Sequence, residues 1–286
     1  MSTQDITRPT LILGANGRIG QALRHFAPES WQERLRLQRR SPADDSTKNG
    51  ADWRVFAPLT DPEALRAAAT GCGHILCLAG SVPGRGDLED NARLAIAAVE
   101  AAADAGCGRV ILTSSAAVYG RSSGPLREDQ PLRPANAYGE AKVRMEEAGR
   151  MRADALGVAV CALRIGNVAG FDAILGGWKP GFTLDQFPDG TTPRRSYIGV
   201  QALAQVICDL MEAKRLPPAL NVAQLRPIEM GELLTRADLE FATRPAPADA
   251  ISDVTLDLTL LQSCLNTPVV PACGISLVAQ WHGFCQ

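Results

Sequence analysis

The sequence predicts an α/β protein, a doubly wound parallel sheet followed by a small mixed C-terminal lobe. Three observations carry that prediction. Short apolar runs alternate with helical patterns through the first 165 residues, a glycine-rich turn follows the first run, and the pattern changes character after Leu163. Hydrophobic residues make up 46% of the 286-residue chain and charged residues 21%, a balance that supports a substantial core and excludes a disordered chain. Lys and Arg number 29 against 31 Asp and Glu, so the basic excess of a dedicated nucleic-acid or anionic-membrane binder is absent.

The apolar runs fall at residues 10–13, 35–38, 53–56, 74–79, 109–113 and 158–163, each short enough to be a buried strand. Between them, Ile19, Leu23 and Phe26 share one helical face, Pro62 opens a helix through Ala69, and residues 88–105 are alanine-rich with good helix propensity. Right-handed βαβ crossovers then give a Rossmann-like sheet with helices on both faces. Residues 1–165 are assigned to a dinucleotide-binding domain and 166–286 to a substrate-binding lobe interleaved with it. Residues 166–195, rich in Gly, Pro and aromatics without a clear period, form the candidate substrate region. After them, 200–213 read as helix, 219–223 as strand, 229–240 as helix, and 243–250, with two prolines, as a linker.

Eight cysteines with no C-x-x-C pair, together with three scattered histidines, offer no zinc spacing, so no metal is expected and the cysteines read as small core residues. The polar start through Arg8 and the brief apolar run 11–13 lack the form of a secretory signal, which implies a cytoplasmic, reducing location. No window approaches the roughly eighteen uninterrupted apolar residues of a membrane helix.

The first strand runs into Gly14-Ala15-Asn16-Gly17-Arg18-Ile19-Gly20 and then a helix. In that context spaced glycines bind a dinucleotide. Gly14 permits the tight turn, Gly17 lets main-chain N–H groups approach a pyrophosphate, and Gly20 lets the helix pack closely on the sheet. Asn16, Arg18 and Ile19 lie between them and join the cofactor set. The spacing is G-x-x-G-x-x-G rather than G-x-G-x-x-G, and an ordinary strand–helix turn is the competing reading. The second strand ends in Gln38-Arg39-Arg40-Ser41, with no acid for a ribose hydroxyl. Arg39 and Arg40 suit the 2′-phosphate of NADP(H), which favours that cofactor over NAD(H), although a solvated basic face explains the same pair. Asp52 and Trp53 offer an acceptor and an apolar wall for adenine.

Tyr138 and Lys142 stand four residues apart in Ala-Tyr-Gly-Glu-Ala-Lys, on one face of a helix through this stretch. A phenol with an ordinary pKa of about 10 accepts a proton poorly near neutrality, and a neighbouring ammonium with an oxidised nicotinamide favours the phenolate. Ser115 lies just past the carboxyl end of a strand, where such folds place ligands.

The order of four motifs, Gly14-x-x-Gly17-x-x-Gly20, Leu78-Ala79-Gly80, Ser114-Ser115-Ala116-Ala117-Val118-Tyr119-Gly120 and Tyr138-Gly139-Glu140-Ala141-Lys142, resembles the extended branch of the short-chain dehydrogenase/reductase superfamily, the NAD(P)-dependent epimerase/dehydratase group. The resemblance continues through Leu163-Arg164-Ile165-Gly166-Asn167, Arg195-Ser196-Tyr197-Ile198-Gly199-Val200 and Leu220-Asn221-Val222-Ala223. It implies Tyr138 as general acid/base, Lys142 as its electrostatic partner and ribose ligand, and Ser115 as the residue that hydrogen-bonds the substrate oxygen. Leu78, Ala79, Gly80 and Ile165 would flank the nicotinamide, and Asn167 and Arg195 would touch the substrate. It further implies a homodimer formed through helices 88–105 and 137–155.

Two departures narrow the activity. Dehydratases of the group commonly place Asp-Glu where this chain has Ala116-Ala117, and an acidic pair is often found where it has Gln201-Ala202. The expected function is an NAD(P)-dependent epimerase or reductase acting on a hydroxyl or carbonyl carbon of a small polar, sugar-derived metabolite. Dehydration is disfavoured, and a UDP- or dTDP-sugar is doubtful given the compact lobe. The alternative is a catalytically inactive NADP-sensing or interaction protein on the same fold. Cys77 reads as a buried structural thiol, and Trp178, Phe182 and Phe187 as pocket or loop anchors.

Overall fold

The structure is a computed structural model and describes residues 8–42, 51–122 and 124–285; residues 1–7, which carry most of the polar N-terminal start, lie outside the described residues. The first half of the described chain alternates as β1 (Thr10–Leu13), α1 (Arg18–Phe26), β2 (Leu35–Arg39), β3 (Asp52–Val55), α2 (Pro62–Ala69), β4 (His74–Cys77), α3 (Asp90–Ala105), β5 (Arg109–Ser115), α4 (Ala137–Leu156) and β6 (Ala159–Ile165). Helix α5 (Val200–Glu212) and strand β7 (Ala219–Val222) complete a seven-stranded sheet in the order β7-β6-β5-β4-β1-β2-β3. All of its pairings are parallel. The expected Rossmann-like, doubly wound α/β fold is therefore present.

Strand periodicity explains why helices are needed on both faces. Along β1, Leu11 and Leu13 point to one side, into a core with Ile75, Leu65, Val99 and Met145 under α2, α3 and α4. Ile12 points to the other, into a core with Leu23, Ile111, Leu203 and Ile207 under α1 and α5. Of residues 219–223, read as a strand of the C-terminal lobe, Ala219–Val222 form the edge strand of the main sheet instead. Once the chain leaves β6, a crossover through α5 returns it parallel to β6, with Leu220↔Leu163 and Val222↔Ile165 in register.

The lobe is assembled from short strands. Its four-stranded sheet runs Ile228–Glu229, Arg194–Arg195, Asp253–Leu256, Pro125–Leu126, so a segment from the first half of the chain joins it. A separate core of Leu175, Leu184, Tyr197, Leu233, Leu234 and Leu277 sits beneath helices α6 (Met230–Arg236) and α8 (Gly274–Cys285), with α7 (Thr259–Cys264) between them in sequence. Residues 243–250 are not simply a linker. Strand Ala242–Pro245 pairs parallel with Thr183–Gln186, Arg244 holds Asp185 at 2.8 Å, and Pro245 occupies the last paired position, where its missing N–H is tolerated.

Among the described residues no helix is long and apolar enough to cross a membrane, and no group of three His, Cys, Asp or Glu side chains is placed to hold a metal. All eight cysteines are free thiols.

Candidate active site

The carboxyl ends of β1, β4, β5 and β6 open into a cleft of about 810 Å³. Its floor begins at the glycine-rich turn. Gly14 has φ +78°, and a Cβ there would lie 2.7 Å from the Ala79 nitrogen, so both the turn and the contact between the β1 and β4 ends require glycine. Gln38 ties the turn to its neighbours: its Oε1 accepts from Gly14 N at 2.9 Å, and its Nε2 donates to the Phe56 carbonyl at 2.5 Å. Gly17 precedes α1 without a side-chain cap, which leaves the first-turn amides of Arg18 and Ile19 to a ligand at the positive end of the helix. Arg18 reaches over the cleft, donating from Nη1 to the Phe171 carbonyl at 2.5 Å and lying 5.4 Å above the Phe171 ring.

Helix α4 supplies the opposite wall. Asn136 caps it, its Oδ1 accepting from Gly139 N at 2.9 Å, so the helix starts just ahead of Tyr138. Tyr138 is half-buried and hydrogen-bonded to Ser115. Burial pushes its phenol above the ordinary value, against the Ser115 hydrogen bond and the positive charge of Arg18. One turn on, the buried Lys142 donates from Nζ to the Thr113 carbonyl at 2.8 Å and to Asn91 Oδ1 at 3.1 Å, and lies 5.8 Å from the Tyr138 ring. Burial pulls its ammonium down to about 8, opposed by Cys77 and Glu146. Burial likewise pushes the Cys77 thiol up to about 11, as suits a structural cysteine.

Asn91 escaped the sequence reading. It is fully buried on α3, donates to the Ser81 and Leu88 carbonyls at 3.1 and 2.9 Å, and so presents Oδ1 to Lys142 with a fixed orientation. A Cβ on Gly80 would approach that Oδ1 to 2.7 Å, which explains the glycine after Leu78-Ala79. The available signal was an asparagine on the same helical stripe as the buried Leu94, Ala95 and Ala98. Asp172 was also missed. Its half-buried carboxyl lines the cleft, accepts from the Tyr197 hydroxyl at 2.9 Å and from Leu175 N at 3.1 Å, and is pushed up by desolvation.

The cleft thus brings together Asn16, Gly17, Arg18, Ile19, Arg40, Leu78, Gly80, Ser115, Tyr138, Lys142, Ile165 and Asn167, with Gly14 and Ala79 packed against each other behind them. It leaves out Arg39, Asp52, Trp53 and Arg195 of the sequence reading. Asp52 lies near the amino end of β3, away from the cleft, and is paired with Arg36 and Arg54, each at 2.8 Å. Trp53 stands between two guanidiniums, Arg24 at 5.0 Å and Arg39 at 4.8 Å, so it forms a cation–π stack outside the cleft lining. Arg195 donates to the carbonyls of Arg194, Ile251 and Ser252 at 2.7, 2.8 and 3.3 Å, which holds its guanidinium within the lobe.

Residues 10–174 match the NAD dependent epimerase/dehydratase family. A UDP-glucose 4-epimerase from Azospirillum brasilense is 34% identical over 117 residues, 41% of this chain and 29% of that protein, so the chain spans about three tenths of its length in the match. An NAD-dependent glucose-6-phosphate dehydrogenase from Haloferax volcanii is 30% identical over 181 residues, 56% of this chain and 69% of that protein. The fold is shared with the structure of UDP-glucose 4-epimerase from Brucella ovis in complex with NAD, at a TM-score of 0.81 and 21% identity over 96% of this chain and 98% of that one.

Proposed function

Because the chain belongs to the NAD dependent epimerase/dehydratase family, we propose that it is an NAD(P)-dependent epimerase or reductase acting on a hydroxyl or carbonyl carbon of a small polar, sugar-derived metabolite. The observation that carries this reading is the seating of Tyr138 and Lys142 beside the end of β5, with Ser115 hydrogen-bonded to Tyr138, in the cleft that begins at the glycine-rich turn. The names of the relatives, a UDP-glucose 4-epimerase and an NAD-dependent glucose-6-phosphate dehydrogenase, support a sugar-derived substrate.

The residues present fit a dinucleotide. The uncapped start of α1 suits a pyrophosphate, and Lys142, fixed by Asn91 and Thr113, suits ribose hydroxyls. The nicotinamide supplies the hydride when bound. Tyr138, held as a neutral phenol by burial, gives its proton to the substrate oxygen during reduction, and the phenolate left behind is the form that takes a proton from the alcohol in the oxidation direction. Ser115 orients that oxygen, and the Lys142 ammonium favours the phenolate when the proton has left. Asn167 and Asp172 offer polar contacts on the substrate side of the cleft. Dehydration is disfavoured because Ala116 and Ala117 carry no group that exchanges a proton.

Two finer features belong to the same reading. Arg40 lines the cleft, and Arg39 lies beside it on the Trp53 ring, an arrangement suited to the 2′-phosphate of NADP(H). Helices α3 and α4 pack side by side and form the proposed homodimer face, on which Met151 is 67% exposed.

Fluorescence titration with NADPH and NADH tests the reading. The expected result is tighter binding of NADPH, with Arg40→Ala weakening it about tenfold (about 1.4 kcal/mol) while NADH affinity changes less than about twofold. Preference for NADH would remove the phosphate role of Arg40, and binding of neither cofactor in either oxidation state would overturn the enzyme assignment. Binding with no turnover on sugar-derived ketones or alcohols, and no effect of Tyr138→Phe, would favour the sensor alternative.

A further inference from the structure

Helix α4 touches the end of β5 at three places, one turn apart. Tyr138 meets Ser115, Lys142 donates to the Thr113 carbonyl at 2.8 Å, and Glu146 accepts from the Ser114 hydroxyl at 2.5 Å. Positions 138, 142 and 146 fall on one helical stripe, so three side chains of one element grip three consecutive residues of another. The first two belong to the proposed site. The third has no part in its chemistry as described, yet it is a carboxylate only 9% exposed, a placement that needs a reason.

Its partner is Arg164 on β6, 6% exposed, which donates from Nη2 to Glu146 Oε2 at 2.8 Å and from Nε to both carboxylate oxygens at 3.1 and 3.2 Å. Arg164 Nη1 donates to the Tyr119 hydroxyl and the Glu128 carbonyl, both at 3.0 Å, and Tyr119 donates to Asn221 Oδ1 on β7 at 2.7 Å. The carboxylate is therefore anchored from β5, β6 and, through Tyr119, β7. Of the groups that fix its orientation, Ser114 lines the cleft, while Arg164 and Tyr119 stand outside its lining.

We propose that Glu146 is a positioning residue for the Ser115, Tyr138 and Lys142 group, holding the end of β5 through Ser114 and placing a buried negative charge one helical turn from the Lys142 ammonium. This rests on the function proposed above for the same site. The groups around Lys142 narrow the source of that field. From β4 comes the Cys77 thiol, which stays protonated below about 11; from α3 comes the neutral Asn91 amide; from α4 come the Tyr138 ring and Glu146. Glu146 is the one carboxylate among these, and it opposes the loss of charge that burial imposes on Lys142.

The titration reads Lys142 directly and needs no substrate. The chain has only four lysines, Lys48, Lys142, Lys179 and Lys214, so ¹³C-labelled lysine gives four ε-carbon signals, and Lys142→Arg assigns the one in question. Titration of the full chain by NMR should show the Lys142 pKa lower by about half a unit or more in Glu146→Gln than in the unmodified protein. That substitution also leaves the Arg164 charge without its partner, so the double variant Glu146→Gln/Arg164→Met is titrated alongside it. A fall in both variants supports the proposal. A fall confined to the single variant assigns the effect to the unpaired Arg164 and overturns it, as does an unchanged Lys142 pKa in both folded variants. Ser114→Ala, which keeps the charge, should leave the Lys142 pKa in place while lowering kcat severalfold, and unaltered kcat would remove the Ser114 arm. Failure of NADPH and NADH to bind the unmodified protein would sink the proposed function while leaving the lysine titration readable, so the two failures are distinct.

Discussion

At the scale of single residues, the site spends stability on a buried ammonium. Lys142 sits between Asn91 and the Thr113 carbonyl, and burial brings its pKa from 10.5 to about 8. Because the folded-state value is the lower one, the unfolded chain holds a proton that the folded chain has released between about 8 and 10.5. Stability therefore rises with pH across that window, and the full cost of the charge is felt below it. Lys142→Met should accordingly be more stable than the unmodified protein at pH 7, by about 1–3 kcal/mol. The advantage should shrink as pH passes 8 and continue shrinking toward 10, in urea unfolding curves run at several pH values. The same variant should lose most turnover, since the group that destabilises the fold is the one that favours the Tyr138 phenolate. An advantage independent of pH would refute this account of the Lys142 charge.

At the scale of elements, α4 is the part on which the site depends. Its first two turns carry Tyr138 and Lys142, and its start is set by the Asn136 side chain on Gly139 N at 2.9 Å. Asn136→Ala should cost about 1 kcal/mol, read as a Tm drop of about 2–4 °C for a chain of this size. Fraying at this end should also lower kcat more than it raises KM, because the displaced residues act on the reacting atoms rather than on binding alone. The equivalent loss of a cap on α2, by Asp61→Ala, removes the Ala64 N hydrogen bond at 2.9 Å and should lower Tm alone. Equal kinetic effects from the two caps would show that α4 has no special place in the site.

At the scale of the whole molecule, the outer face of the α3 and α4 pair is mixed. Arg152 pairs with Glu100 at 2.7 Å and Arg144 with Glu89 at 2.7 Å, while Met151 is 67% exposed among them. A dimer through this face would bury both kinds of group, so light scattering should give twice the 30.4 kDa chain mass, and Met151→Glu should return it to the monomer value. A monomeric mass for the unmodified protein at micromolar concentration would exclude the dimer.

Much of this protein was legible in one dimension. Strand and helix periods, the three-glycine turn and the Tyr138–Lys142 spacing depend on neighbours a few residues away, and local sterics and side-chain alternation suffice to read them. Sequence put Ser115 just past a strand end; the structure makes it the last residue of β5, next to which the fold sets Tyr138. What sequence could not give were relations between distant segments. Residues 219–223 look like any short strand, and only the crossover through α5 puts them at the edge of the main sheet. Asp52 and Arg195 look available as an acid and a cation, yet tertiary neighbours consume them: Arg36 and Arg54 for the first, and the carbonyls of Arg194, Ile251 and Ser252 for the second. Asn91 and Glu146 show the converse, polar residues of ordinary appearance that burial beside Lys142 and Ser114 makes specific. The sequence by itself determined the alternating elements of the first 165 residues and the chemical groups they carry. Only the tertiary structure decided which of those groups are already satisfied and which face the cleft, because hydrogen-bond satisfaction and burial are set by atoms that the chain brings together from far apart.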